Sequence, residues 1–226
     1  MTEPLLALLH LCDSLFPLGG FGYSDGLEAA TTAGLVRTPG DLEAWLDVCL
    51  DETIGRADGP AVIQAWTAWR RNDRPALATL DEEVIALRPS SIARHSSRAM
   101  GSRLVTTWRA LYPDGGFARR LDLFPGGRRG PALPVAFGCV CASAGVEAQS
   151  AAMAFAYTRL AATVSAAMRL IAIGQTDAHT KLARVLERVP AVVDVMAARS
   201  SVGSFAPAMD IAAISQQYLH SRLFRS

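Results

Sequence analysis

The sequence predicts an all-α protein. Three observations carry this. Apolar residues recur at helical spacing along most of the chain. Those stretches are bounded by recognisable start and stop residues. No alternating apolar–polar run bounded by turn residues is present. Half of the 226 residues are hydrophobic, enough for a core and the opposite of a disordered composition. Length permits one large domain or two small ones, and neither an internal repeat nor a low-complexity tract is present; the reading is a single-domain helical bundle over residues 1–226, of roughly ten helices.

Taken in order, Pro4 to Phe16 reads as a helix with Leu5, Leu8, Leu9, Cys12 and Leu15 or Phe16 on one face. Pro17 and the glycines after it stop that helix. Ser24 or Asp25 caps a second one over Gly26–Leu35. Thr38-Pro39-Gly40-Asp41 opens the next with a capping threonine, a proline at the first position and an acid in the first turn. Leu42, Trp45, Leu46 and Cys49 line its buried face. Asp58-Gly59-Pro60 reads as a fresh start, carrying Val62, Ile63, Trp66 and Trp69, and Asn72-Asp73-Arg74-Pro75 ends it. Pro89-Ser90-Ser91 precedes a long pattern to about Tyr112. Pro113-Asp114-Gly115-Gly116 and Phe124–Gly130 then read as a mobile loop near 113–130.

Beyond Pro134 come a helix, a break at Gly145, and one long helix from about Glu147 to Gly174, with Thr176 placed to cap the next. Ala148–Ile173 is apolar enough to raise the question of a membrane span. Arg159 and Arg169 interrupt it, and a charge at mid-bilayer costs about 2.5–3.5 kcal/mol on insertion scales. Its Ala, Ser and Thr content fits the central helix of a bundle, where small side chains let neighbours approach. The chain is therefore read as having no membrane partner.

Composition narrows function further. The 22 basic and 21 acidic residues give a net charge of +1, which argues against a nucleic-acid partner. The N-terminal Met-Thr-Glu-Pro lacks the features of a signal peptide, so a cytoplasmic setting with reduced thiols is expected. Cys12, Cys49, Cys139 and Cys141 all sit in apolar surroundings, and Cys139-x-Cys141 without a second pair is a weak metal signal. They read as core residues.

No active site is legible. Gly19-Gly20-Phe21-Gly22 lacks the Gly-Lys-Ser/Thr of a phosphate loop, and a helix precedes it where a dinucleotide fingerprint needs a strand. His10, His95, His179 and His220 are scattered without metal-ligand spacing. His95 and His179 fall on helix surfaces. Ser96 and Ser97 lie near His95, yet the chain contains no Gly-x-Ser-x-Gly elbow. The expectation is no catalytic, cofactor or metal site.

Four segments instead have the character of contacts. The opening loop supplies Phe16, Pro17, Gly19, Gly20, Phe21, Tyr23, Ser24, Gly26 and Glu28. A helix supplies Arg94, Ser97 and Gly101, whose glycine costs about 1 kcal/mol against alanine and so calls for close packing or contact. The junction after the long helix supplies Gly174 and Gln175. The tail, 204–226, supplies Phe205, Pro207, Asp210, Arg222, Leu223, Phe224 and Arg225. Leu223-Phe224 between two arginines carries apolar surface to bury, either on a partner or on the chain's own body. The opening loop has the same two readings: a partner surface, or a turn that only joins two helices.

These segments resemble the UreF family of urease accessory proteins. "LLHLCDSLFPLGGFGYSDGLEAA" (Leu8 to Ala30) is similar to the family's N-terminal signature. "RHSSRAMGSRLV" from Arg94, "PVAFG" at Pro134–Gly138, "IGQTDAHTKLARV" and "SFAPAMDIAAISQQYLHSRLFRS" resemble its later motifs in order, over nearly the whole chain. The first and last are the distinctive ones. The chain departs from the pattern at Gln216-Gln217, where His-Glu is common, at Ala132-Leu133, where a histidine often precedes the Pro-Val motif, and at Tyr23, where histidine is common.

The resemblance implies an all-α fold without enzymatic activity. It implies a homodimer that bridges the scaffold UreD (UreH) and the nickel-carrying GTPase UreG, engages apo-urease, and regulates GTP-dependent nickel delivery. It also implies a tail that orders on UreD. Two competing readings are a small helical enzyme with an unrecognised site and a direct nickel-carrying chaperone using His10, Cys12 and the other thiols.

Overall fold

A computed structural model of the chain describes residues 3–113, 117, 120 and 130–224, with the backbone alone at Phe21. Most of the loop expected near 113–130 lies outside the described residues, as do Arg225 and Ser226.

Several start signals read from the sequence are made. Helix α1 (Pro4–Cys12) opens where the Leu6 N–H donates to the Glu3 carboxylate at 3.1 Å. It ends at Cys12, short of Phe16. Its face is also rotated from the one expected: Ala7 and Leu11 are buried, while Leu5 and Leu9 are exposed. Helix α2 is only Leu27–Thr32. Helix α3 (Pro39–Val48) carries the full reciprocal cap, in which Thr38 and Asp41 each accept the other's backbone N–H.

The expected break at Asp58-Gly59-Pro60 does not occur. Helix α3 runs on as a π-helix, Cys49–Asp58, directly into α4 (Gly59–Arg71). In α-register the Pro60 ring would collide with the carbonyl four residues back and lacks the N–H to bond it. The π-register widens the turn, and the Gly59 N–H donates to the Ile54 carbonyl, five residues back. Asn72, at φ +58°, then ends α4. Asp73 caps α5 (Arg74–Ala86), a helix that the sequence reading missed.

Ser90 accepts from the Ile92 and Ala93 N–H groups and starts α6 (Ser91–Leu111). Helices α7 (Leu133–Ser143) and α8 (Ala148–Leu170) follow, separated at Gly145. Helix α9 (Gln175–Ala197) begins at Gln175, so Thr176 lies within its first turn and does not cap it. Helix α10 (Pro207–Ser215) and 3₁₀ turns at Gly20–Gly22 and Gln216–Tyr218 complete the set. There is no strand among the described residues.

Two apolar cores result. One gathers α4, α6 and α7, with Leu11, Phe16 and Phe155. The other gathers α2, α3, α9 and α10 around the Ala152–Ala167 side of α8. The long helix expected to be central contributes to both cores, with Met153 and Tyr157 exposed; the helix buried all round is α7, on which every residue from Leu133 to Ala142 is buried. No helix among the described residues is long and apolar enough to cross a membrane.

Candidate functional site

The opening loop and the C-terminal segment, some 190 residues apart in sequence, meet on one face. The loop turns through Gly19, at φ +75°, and the 3₁₀ turn at Gly20–Gly22. Phe16 is not presented at the surface: it is buried, edge-on to the His10 ring at 5.2 Å. His10 Nδ1 and the Tyr112 hydroxyl share a hydrogen bond of 2.8 Å, tying α1 to the end of α6. Pro17 and Gly19 are exposed, Gly20 and Tyr23 half-buried, and Ser24 buried. The Phe21 side chain lies outside what is described.

Asp25, at φ +51°, pairs with Arg159 of α8. Burial pushes the Arg159 guanidinium down to about 10, so it stays charged at neutral pH. Gly26, at φ +87°, lies flat against α10: a Cβ there would stand 2.7 Å from the Ala213 nitrogen. Only glycine meets both the conformation and the approach.

Glu28 is the centre of this junction, although only 6% exposed. Its carboxylate accepts from Gln216 Nε2 at 2.7 Å, from the Leu223 N–H at 2.6 Å and from the Phe224 N–H at 3.1 Å. Gln216, fully buried, accepts in turn from the Ala29 N–H at 3.0 Å. Phe224 is 3% exposed, with the Arg169 guanidinium 4.1 Å above its ring. Phe224 folds back onto the chain's own body. Leu223 points outward, as do Arg222, Phe205 at 76% exposure and Tyr218 at 75%. Arg225 lies outside the described residues. Pro207 is exposed, and Asp210 is half-buried, its carboxyl pushed up by burial.

The other two segments divide. Arg94 is half-buried and donates to the Arg88 and Pro89 carbonyls. Ser97 and Gly101 are interior: Ser97 accepts from the Leu133 N–H, and a Cβ on Gly101 would stand 2.1 Å from the Pro131 carbonyl oxygen. Close packing therefore accounts for this glycine. Met100 and Arg103 bring α6 against Gly20 and Gly19 of the opening loop. Gly174 and Gln175 are exposed at the start of α9.

Two polar nodes escaped the sequence reading. Asp81 is buried, pairs with Arg98 at 2.9 Å and accepts from the Ala132 N–H at 2.6 Å, fixing the approach to α7. The sequence signal was an acid between Leu80 and Val84 on the buried face of α5. The second is Gln216 itself, noticed only as a departure from a pattern.

Behind the junction lies a cavity of about 140 Å³, walled by Ser24, Asp25, Arg159, Thr163, Met209 and Asp210. Ligand pockets start at about 300 Å³. No group of three or more His, Cys, Asp or Glu among the described residues is placed to hold a metal. Burial pushes the Cys12 thiol up to about 11 and Cys49 to about 12, and holds Cys139 and Cys141 well above the usual thiol value. Such thiols are poor ligands and poor nucleophiles.

The family model for UreF matches residues 36–186. A urease accessory protein UreF of Methylibium petroleiphilum is 33% identical over 227 residues, covering 98% of this chain and 94% of its own length. One of Azoarcus sp. is 32% identical over 229 residues, covering 99% and 96%. One of Rhodopseudomonas palustris is 33% identical over 227 residues, covering 100% and 92%.

Proposed function

From the premise that the chain belongs to the UreF family of urease accessory proteins, and is an accessory protein rather than an enzyme, we propose that it is a nickel-insertion chaperone that works by contact. It bridges a UreD (UreH) scaffold and the GTPase UreG, engages apo-urease, and sets when GTP-dependent nickel delivery proceeds. It acts as a homodimer in the cytoplasm. The partners, the dimer and the setting come from the family resemblance.

One observation carries the contact reading. The two most distinctive stretches of the sequence, Leu8–Ala30 and the C-terminal segment, are joined by the Glu28 clasp. The C-terminal segment leaves Phe205, Ile211, Tyr218 and Leu223 exposed. Large exposed apolar side chains are the raw material of contact surfaces, and aromatics are enriched among interface hot spots. Phe224, buried in the core, anchors this segment to the body.

The test is urease activation and size-exclusion chromatography with UreD and UreG. Full-length protein should co-elute with both and support activation. The double variant Phe205→Ser/Tyr218→Ser changes exposed residues only, so helical content should persist while co-elution is lost. Undiminished co-elution and activation would overturn the proposal. A strictly monomeric mass by light scattering at tens of micromolar, an order-of-magnitude choice for standard interfaces, would remove the dimer from it.

A further inference from the structure

The chain's cations are not distributed evenly with respect to its acids. On α9, Arg184 pairs with Glu43, and Arg188 with Asp47 and Asp51. Helix α6 is different. Arg94, His95, Arg98 and Arg103 line one concavity of about 760 Å³ on its outer side, with Ile85 of α5 on the wall. Only Arg98 has a carboxylate partner among the described residues, the buried Asp81. Arg94 is held by two backbone carbonyls, which orient it without cancelling its charge. In a chain of net charge +1, this is a local excess of positive charge.

We infer that the outer face of α6 is a docking site for an acidic peptide segment of a partner protein. This rests on the contact reading above. Arg103 lies beside Gly19, so the face is continuous with the opening loop. Size decides between a peptide and a small anion. Arg94 and Arg103 are nine residues apart, about 14 Å along a helix axis at 1.5 Å per residue. They also leave the helix on opposite flanks. A single phosphate cannot reach both, whereas a short peptide with several carboxylates can. The apolar wall at Ile85 and Ala99 suits a peptide chain better than a free ion. Arginine pairs bidentately with carboxylates, and opposed charges across such a contact set on-rate and register.

The experiment uses the full-length chain alone, with no urease component, so its outcome is separate from that of the activation assay. A fluorescein-labelled hexaglutamate peptide is titrated and read by anisotropy. Wild type should bind saturably, at roughly tens of micromolar in 20 mM salt, and at least about tenfold more weakly in 200 mM salt. Arg103→Glu/His95→Glu, both exposed, should keep the helical spectrum and weaken binding at least about tenfold. Arg71→Glu, an exposed arginine on α4, should change it less than about twofold. Four results would overturn the inference: no saturable binding, equal loss with Arg71→Glu, displacement by millimolar inorganic phosphate, or equally tight binding of an oligo-dT of the same charge.

Discussion

Glu28 and Glu43 are both helix glutamates that join distant parts of the chain, and they do so in opposite ways. Glu43 sits at the surface, where Lys181 and Arg184 of α9 approach it. Glu28 is interior, and its partners carry no formal charge: two backbone N–H groups and an amide. An exposed pair gains little, because water competes for both charges and salt screens them. A buried carboxylate has no alternative partner, so losing it strands donors that were desolvated to meet it. The lesson is that the clasp, with no ion pair in its hydrogen bonds, is the stronger of the two joints.

The largest effect expected is from Glu28→Ala. Three donors lose their acceptor, at about 1–3 kcal/mol each when left buried, so docking of the tail should weaken by about 3 kcal/mol or more. The tail can swing into water, which confines the loss to local opening. Amide exchange at Leu223 and Phe224 should quicken at least about a hundredfold, by the usual tenfold per 1.4 kcal/mol, with a smaller change in global Tm. Unchanged exchange would show that the tail is held elsewhere.

Phe224→Ala should come next. It removes a buried aromatic worth about 1.5–3 kcal/mol and the Arg169 contact. Exchange in the tail should quicken about thirtyfold, with little dependence on salt. Gln216 then sharpens the comparison. It donates to Glu28 and accepts from the Ala29 N–H, and a neutral histidine can do both with its two ring nitrogens. Gln216→His should therefore keep the tail docked at pH 7, while Gln216→Leu, of similar bulk, should release it. Equal release by both would break the donor–acceptor account.

The smallest effects belong to the exposed carboxylates. The Arg37 backbone N–H is the main cause holding the Asp41 carboxyl below its usual value, with Thr38 adding to it. Hydrogen bonds from Lys181 and then Arg184 do the same for Glu43. A lowered folded-state value gives stability that is present above the ordinary carboxylate range, about pH 4, and is lost as pH falls through the lowered value. Asp41→Asn and Glu43→Gln should thus lower Tm slightly at pH 7 and match wild type more closely at pH 3. The Glu43 difference should also fade in 1 M salt. A gap that widens in acid would contradict the assignment.

Much of the fold was legible because helix starts are local chemistry. Thr38 with Asp41, and Ser90 ahead of α6, announce themselves within a few residues. The failures came where a distant neighbour decides. The burial of α1 turns on α8, so its leucines could not be assigned to a face from spacing alone. The continuity through Pro60 depends on a hydrogen-bond register that spacing does not encode. At the site, the family signature marked Glu28 and Phe224 but not their mutual contact. A run of aromatics and glycines reads the same whether Phe16 faces solvent or core. Gln216 was visible as a difference, and its role emerged only beside Glu28 and Ala29.

The π-helix between α3 and α4 has a mechanical consequence. At about 100° per residue, a uniform α-helix from Pro39 to Arg71 would set Val62, Ala65 and Trp69 on the side of the rod away from Leu42, Trp45 and Leu46. Ten residues of wider turn fall behind that rotation and bring the second set back toward the side of the first, while Leu42, Trp45 and Leu46 enter one core and Val62, Ala65 and Trp69 the other, farther along the rod. The rod works as a single axle that serves two cores in turn. No loop interrupts it between Pro39 and Arg71, so the core beneath the tail and the core beneath α6 are built on one continuous helical run.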